Sequence, residues 1–149
     1  MLIWPKILQL RDRLWPSRLA WLRRRHLRLG RQGENAACRM LENAGVEVLC
    51  RNYRHGRAEI DIVARDGPVL CFIEVKTRRS RPGVRPAEAV DAGKRRRILW
   101  CARHYLHAIA APGLERRFDI IEVTVHNRRL QEIRHWKDCF RETAARAQT

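Results

Sequence analysis

The chain has 149 residues, 45% of them hydrophobic, which suits one domain with a real core and length to spare for a tail. Lys and Arg total 32 against 16 Asp and Glu, a formal charge of +16 with a pI near 11.3. That balance excludes an acidic scaffold and points to a polyanionic partner, nucleic acid first and an anionic membrane surface second, since neutralised phosphates release counterions on binding.

Residues 1–25 read as a basic amphipathic extension: Trp4, Trp15 and Trp21, several leucines, a break near Pro16 and the run Arg23-Arg24-Arg25. Lys6, Arg11, Asp12 and Arg13 interrupt its apolar residues, so it lacks the core of a signal peptide, and nowhere does the chain approach the ~20 uncharged apolar residues of a membrane span. A domain over residues 26–140 follows, then a tail over 141–149. Ala37, Met40, Leu41 and Ala44 predict a helix over Glu34–Ala44 that stops at Gly45. Val46–Cys50 reads as a first strand and Arg51–Arg57 as a polar connection. Glu59–Ala64 and Val69–Lys76 read as two strands joined by the turn Asp66-Gly67-Pro68. A basic loop, Arg78–Arg85, leads to a helix over Asp91–Ala110 whose buried stripe is Ile98, Cys101, Ala102, Tyr105 and Ile109. Phe118–Val125 is a further strand, and Leu130–Trp136 a pairing partner for it.

Cysteines at 38, 50, 71, 101 and 139 are odd in number and show no CxxC spacing, so they read as small buried hydrophobes in a reducing cytoplasm. His104 and His107 lack nearby Cys, Asp or Glu partners, which argues against a zinc site there.

The chemistry concentrates in Glu59-Ile60-Asp61 and Glu74-Val75-Lys76. Residues two apart on a strand share a face, so Glu59 and Asp61 are expected on one side with Ile60 and Ile62 on the other, and Glu74 shares a side with Lys76. If the turn at Asp66-Gly67 makes the two strands neighbours, Asp61 approaches Glu74. Two carboxylates at the end of an apolar strand pair are costly, and Mg2+ (or Mn2+) would relieve their repulsion. Such an ion activates water against a phosphodiester, while Lys76 offsets charge growing on the phosphate. Glu59 is a possible additional acid. Arg78, Arg79, Arg81 and Arg85 flank this centre, and Lys94, Arg95, Arg96 and Arg97 open the long helix; both runs are read as phosphate contacts. Tyr53 and His55 are read as core or rim residues.

Several stretches in order, Gly33-Glu34, Arg51-Asn52-Tyr53-Arg54, Glu59-Ile60-Asp61-Ile62-Val63-Ala64, Phe72-Ile73-Glu74-Val75-Lys76-Thr77-Arg78 and Arg117-Phe118-Asp119, resemble the motifs of the YraN-like endonuclease family of bacteria over roughly residues 26–135. The resemblance implies an α/β, restriction-endonuclease-like α-β-β-β-α-β core with a mixed central sheet flanked by helices, similar also to Holliday-junction resolvases. It implies Asp61 and Glu74 as metal ligands, Lys76 as catalytic, and Glu34 as a further acid from the first helix. The family usually has Gly where this chain has Ala58, which puts the backbone packing there in question. Three readings stay open. One is a metal-dependent endonuclease on DNA, with branched DNA as the substrate suggested by fold. Another is a non-catalytic nucleic-acid-binding module of the same fold. The third is a membrane-surface or partner-binding protein acting through residues 1–25. A homodimer is compatible with each.

Overall fold

The computed structural model describes residues 24–79, 90–127 and 129–141. Nearly all of the expected N-terminal extension, the tail beyond 141, and Arg81 and Arg85 lie outside the described residues. The elements follow the order α1 (Arg24–Asn43), β1 (Glu47–His55), β2 (Ala58–Asp66), β3 (Val69–Arg79), α2 (Ala92–Ala108), β4 (Arg116–His126) and β5 (Arg129–Phe140).

The five strands form one sheet in the order β1-β2-β3-β4-β5. β3 and β4 run parallel, and each other neighbouring pair is antiparallel. A parallel neighbour cannot be reached by a hairpin, so α2 carries the chain back across the sheet. The result is the mixed sheet flanked by helices that the sequence predicts, consistent with a restriction-endonuclease-like core.

Each helix seals one face. On one side Ala36, Ala37, Cys38 and Leu41 of α1 pack on Ile62, Ala64, Cys71, Ile73, Ile121, Val123 and Val125. On the other, Ile98, Cys101, Ala102, Tyr105 and Leu106 of α2 pack on Ile60, Val63, Leu70, Phe72, Phe118 and Ile120. Rings organise this second layer: Phe72 stacks on Phe118 at 5.5 Å, Phe118 on Phe140 at 5.1 Å, and Phe72 and Tyr105 meet edge-on at 5.8 Å. Side chains of this size each contribute about 1.5–3 kcal/mol when fully buried. The predicted stripe of the second helix, including Ile109, is buried as expected.

Several boundaries differ from the sequence reading, each for a physical reason. α1 starts at least ten residues before Glu34, because the basic run Arg24–Arg31 continues the same helix. Its end is as predicted: Gly45 takes φ +78, its N–H donates to the Glu42 carbonyl at 3.0 Å, and the Val46 N–H donates to the Leu41 carbonyl at 2.9 Å. β1 runs through Arg51–His55, where a polar connection was expected. Tyr53 is buried there, and its hydroxyl lies 2.6 Å from His104 Nδ1. His55 stacks on His104 with ring centroids 3.3 Å apart. Ala58 is buried in the α2-side core and pairs with His55, so its methyl group is accommodated. Four cysteines are buried, but Cys139 is exposed on the edge strand β5, with its thiol donating to the Trp136 carbonyl at 3.0 Å.

β5 is pinned to β4 by a buried carboxylate. Asp119 is fully enclosed and accepts from Arg117 Nε at 3.0 Å, from the Asp138 backbone N–H at 2.9 Å, and meets His135 Nε2 at 2.9 Å. Burial alone would raise its pKa, but these partners outweigh burial and hold it below the ordinary 3.8. The stabilisation from ionised Asp119 is therefore complete above the ordinary carboxylate range and is lost as pH falls through 3.8 toward the lowered value. Asp119→Asn should cost about 2–4 kcal/mol at neutral pH, as loss of a buried, charge-assisted partner does. In urea titrations the gap between wild type and variant should shrink below pH 4; a gap that holds constant into acid would rule out the charge as its cause.

Candidate active site

The β2–β3 ladder closes with Ile62 opposite Ile73, and the next residue on each strand, Asp61 and Glu74, lies just beyond the last rung, near enough for the Glu74 charge to act on Asp61. There the backbone rungs stop. The Val75 N–H donates instead to Asp61 Oδ2 at 2.7 Å, so a side chain takes over where the backbone of β2 no longer reaches. The same point breaks strand alternation: Ile60 belongs to the α2-side core and Ile62 to the α1-side core. The expectation that Ile60 and Ile62 share a face is thus corrected. In β1, between Arg51 and Tyr53, which pair with Ile62 and Ile60, Asn52 adopts φ +52, a left-handed conformation Asn tolerates better than most residues. Both strands turn over at one position, leaving Asp61 at the boundary between the two layers.

Glu74 lies on the α2 side, as does Phe72 two residues before it. It is 8% exposed, and its Oε2 is buried with no hydrogen-bond partner among the described residues. Its Oε1 pairs with Lys94 Nζ at 2.9 Å. Lys94 comes from the first turn of α2, which Asp91 caps by accepting the Lys94 backbone N–H at 2.8 Å. Lys76 follows Glu74 on the same face of β3, in register with Glu122 of β4. Glu122 is buried and meets Arg78 Nε at 3.8 Å.

On the α1 side, Glu34 Oε2 accepts from Arg51 Nη2 at 3.3 Å and from Asn52 Nδ2 at 3.2 Å. Glu34 is the eleventh residue of α1, well away from its N-terminus, so a helix-dipole role does not account for it. What brings it in is Gly33. A Cβ at Gly33 would sit 1.8 Å from Thr77 Oγ1 and 2.9 Å from Thr77 Cβ, so only glycine lets α1 approach β3 this closely.

These groups share one electrostatic field. Burial is the main cause pushing Asp61 well above the usual carboxylate range, and the Glu74 charge adds to it; the Val75 N–H and Lys94 oppose, while Glu34 contributes further repulsion. Burial also disfavours charge on Lys94, yet its bond to Glu74, with Asp61 and Glu59 behind it, raises its pKa on balance. Asp61 therefore feels both Glu74 and Glu34, one from each layer. With a buried orphan oxygen on Glu74 and a carboxylate crowded by like charge, the oxygen-only donor set fits a hard divalent cation. Asp61 and Glu74 could hold such an ion between them; among the described residues no group of three or more His, Cys, Asp or Glu side chains is placed to do so.

The remaining predicted residues are distributed as follows. Glu59 is engaged outward, with both its oxygens 3.0 Å from Arg54 Nη2. Arg79, Arg96 and Arg97 are exposed, and Arg78 is half-exposed against Glu122. Arg95 is tied into the fold: its Nε donates to the Val90 carbonyl at 2.6 Å and its guanidinium lies 5.9 Å from the Phe140 ring centre. Lys94, read from sequence as a phosphate contact, sits on Glu74 instead. Sequence reasoning missed Arg51, Asn52 and Thr77 as supports of the site. The signal for them in the sequence is that Arg51 and Asn52 lie in the stretch Arg51–Arg54 and Thr77 in the stretch Phe72–Arg78, both of which carry the family resemblance.

The profile of the uncharacterised protein family UPF0102 matches residues 33–123. The chain belongs to this family. A UPF0102 protein of Chlorobium phaeobacteroides is 47% identical over 109 residues, covering 73% of this chain and 86% of that relative. One from Chlorobium limicola is 44% identical over 117 residues, 75% of this chain and 91% of the relative. One from Symbiobacterium thermophilum is 45% identical over 96 residues, 64% and 81%. The family match opens at Gly33 and closes at Val123, a span that holds the whole constellation but leaves out β5.

Two predictions follow from this geometry. Gly33→Ala should destabilise by about 1–3 kcal/mol through overpacking, and Thr77→Ala should restore only part of the loss, since Thr77 Cβ remains in the way. Thermal melting of the single and double variants measures this, and additive losses would mean the contact is not shared. Asp61→Asn removes repulsion while keeping an acceptor for Val75 N–H, so the metal-free melting temperature should rise by about 2–4 °C. Glu74→Gln strands Lys94 and should lower it. Shifts of the same sign in both variants would show that Lys94 does not compensate Glu74.

Proposed function

We propose that this protein is a divalent-metal-dependent nuclease that hydrolyses DNA phosphodiester bonds. The observation that carries the reading is that Asp61 and Glu74 lie just beyond the end of the β2–β3 ladder within reach of each other's charge, with Glu74 Oε2 buried and unpartnered among the described residues. Asp61 and Glu74 would hold Mg2+ or Mn2+, which when bound supplies Lewis acidity and a water of lowered pKa. Lys76, one step along the same strand face, would donate to a phosphoryl oxygen as its charge grows. Glu34, held by Arg51 and Asn52, keeps its charge directed at the Asp61 end of the site. Exposed Arg79, Arg96 and Arg97, within a chain of charge +16, supply cations for a phosphate backbone. Branched DNA is the substrate suggested by the resemblance to junction resolvases.

A second reading, a nucleic-acid-binding module without turnover, is favoured by one observation: Lys94 already neutralises part of Glu74. A membrane-surface role through residues 1–25 concerns residues outside those described; among the described residues no helix is long and apolar enough to cross a membrane. The deciding experiment incubates the full chain with linear, single-stranded, flapped and four-way DNAs in Mg2+ or Mn2+. Wild type should cut at least one substrate. Asp61→Asn and Glu74→Gln should abolish cutting, Lys76→Met should slow it by ~10²-fold or more, and Glu34→Gln by about tenfold. DNA binding without cleavage of any substrate in either metal would favour the binding module.

A further inference from the structure

A lysine occupies the carboxylate that the nuclease reading assigns to a metal. Lys94 Nζ lies 2.9 Å from Glu74 Oε1, its side chain is only 33% exposed, and it enters from α2, a different element from the strands that carry the site. Asp61, Glu74 and Glu34 bring three carboxylates within mutual influence at the end of the β2–β3 ladder. A fold that assembles these charges needs a counter-cation before any ion arrives, since uncompensated buried carboxylates cost several kcal/mol each. Arg51 answers Glu34. The cation shown on the Asp61–Glu74 pair is Lys94.

We infer that Lys94 is a built-in stand-in for the divalent cation, holding Glu74 in the metal-free protein and giving way when the metal binds. The inference rests on the metal-dependent reading above and adds a residue and a role to it. Charge counting gives the direction. With both carboxylates ionised, Asp61, Glu74 and Lys94 together carry one net negative charge; a dication added on top leaves one net positive charge, and releasing the ammonium to solvent returns the site to neutrality. The metal need not seat on Oε1 for this to hold. The ammonium and the dication draw on the same two carboxylates, so each lowers the affinity for the other. The placement also suits release, since the stem of Lys94 springs from the first turn of α2, next to exposed Arg96 and Arg97. An ammonium leaving Glu74 moves toward the surface where a phosphate would lie. Lysine is the residue type for such a role, as a compact charge on a flexible stem rather than a planar fork.

The test is calorimetric titration of Mn2+ into the full chain as wild type, Lys94→Met, Lys94→Gln and Glu74→Gln, each checked for a cooperative melt. A stand-in predicts that both Lys94 variants bind Mn2+ at least about tenfold tighter than wild type, because the competitor is gone. It predicts that Glu74→Gln loses binding. Equal or weaker binding in the Lys94 variants, with wild type still binding through Glu74, overturns the inference and leaves the metal site standing. No binding in wild type, with the Lys94 variants equally silent, removes the metal reading and this inference together. Should the Lys94 variants fail to fold, the wild type answers by nitrogen NMR of its lysine ammonium groups. The chain has four lysines, so few signals compete. Addition of Mg2+ should convert the Lys94 resonance from a held to a freely exchanging ammonium; a resonance unmoved at saturating Mg2+ overturns the proposal.

Discussion

The hydrogen bond from the Val75 N–H to Asp61 Oδ2 organises this molecule. An antiparallel ladder that continued past Ile62 and Ile73 would send successive side chains to alternate faces and keep Asp61 in line with its strand. Instead the ladder stops, a carboxylate captures the next donor, and Asp61 stands between the layers sealed by α1 and α2. Everything else at the site is arranged around that break. Asn52 turns β1 over opposite it, Gly33 lets α1 close in from one side, and the first turn of α2 delivers Lys94 from the other.

Electrostatics constrain the chain as strongly as packing does. With twice as many cations as acids, arginine or lysine is available for nearly any carboxylate. Many are taken: Glu34 by Arg51, Glu47 by Arg65, Glu59 by Arg54, Asp66 by Arg117 and Lys137. The exposed pairs contribute little to stability, since solvent screens them and ordering two long side chains costs entropy. The pairs that matter are those with buried members, among them Asp119 with Arg117, His135 and the Asp138 N–H, Glu74 with Lys94, and the longer contact of Glu122 with Arg78; two of them shape the site and the edge strand. The first fixes the edge strand. The second compensates a site that would otherwise repel itself. Asp61 accepts from the Val75 backbone N–H, with the Lys94 charge acting on it from α2.

The two helices do unequal work. α1 is chiefly a wall, and its close approach to β3 at Gly33 sets Glu34 beside β1. α2 makes the crossover that the parallel β3–β4 pair requires, seals the aromatic layer through Tyr105, and opens with the residue that touches Glu74. Its dual role explains why the basic run Lys94–Arg97 divides as it does. Arg95 braces Val90 and Phe140, Lys94 turns into the site, and Arg96 and Arg97 remain at the surface. Helical periodicity, at 100° per residue, spreads four consecutive cations around the axis, with only Lys94 and Arg97 falling on neighbouring faces.

The sequence by itself determined the order of elements, the buried stripe of α2, the stop at Gly45, and the neighbouring strands that bring Asp61 near Glu74; of the α1 stripe it named Ala37 and Leu41, whereas Ala44 is exposed and Ala36 and Cys38 are buried. These rest on local rules: periodicity, turn chemistry and the two-residue alternation of strands. Local rules also explain the errors. Alternation placed Ile60 and Ile62 on one face because nothing local announces a left-handed Asn52 nine residues earlier on a different strand. The polar run Arg51–His55 looked like a connection because only the burial of Tyr53 under α2 shows it to be a strand. Tertiary structure alone decided that Lys94 meets Glu74, twenty residues away, and that Glu34 meets Arg51 and Asn52. It also decided that Gly33 is required by Thr77, forty-four residues on. Such contacts depend on the distance between layers and on which residue faces the gap, and both are set by the packing of the whole sheet against its two helices rather than by any stretch of chain.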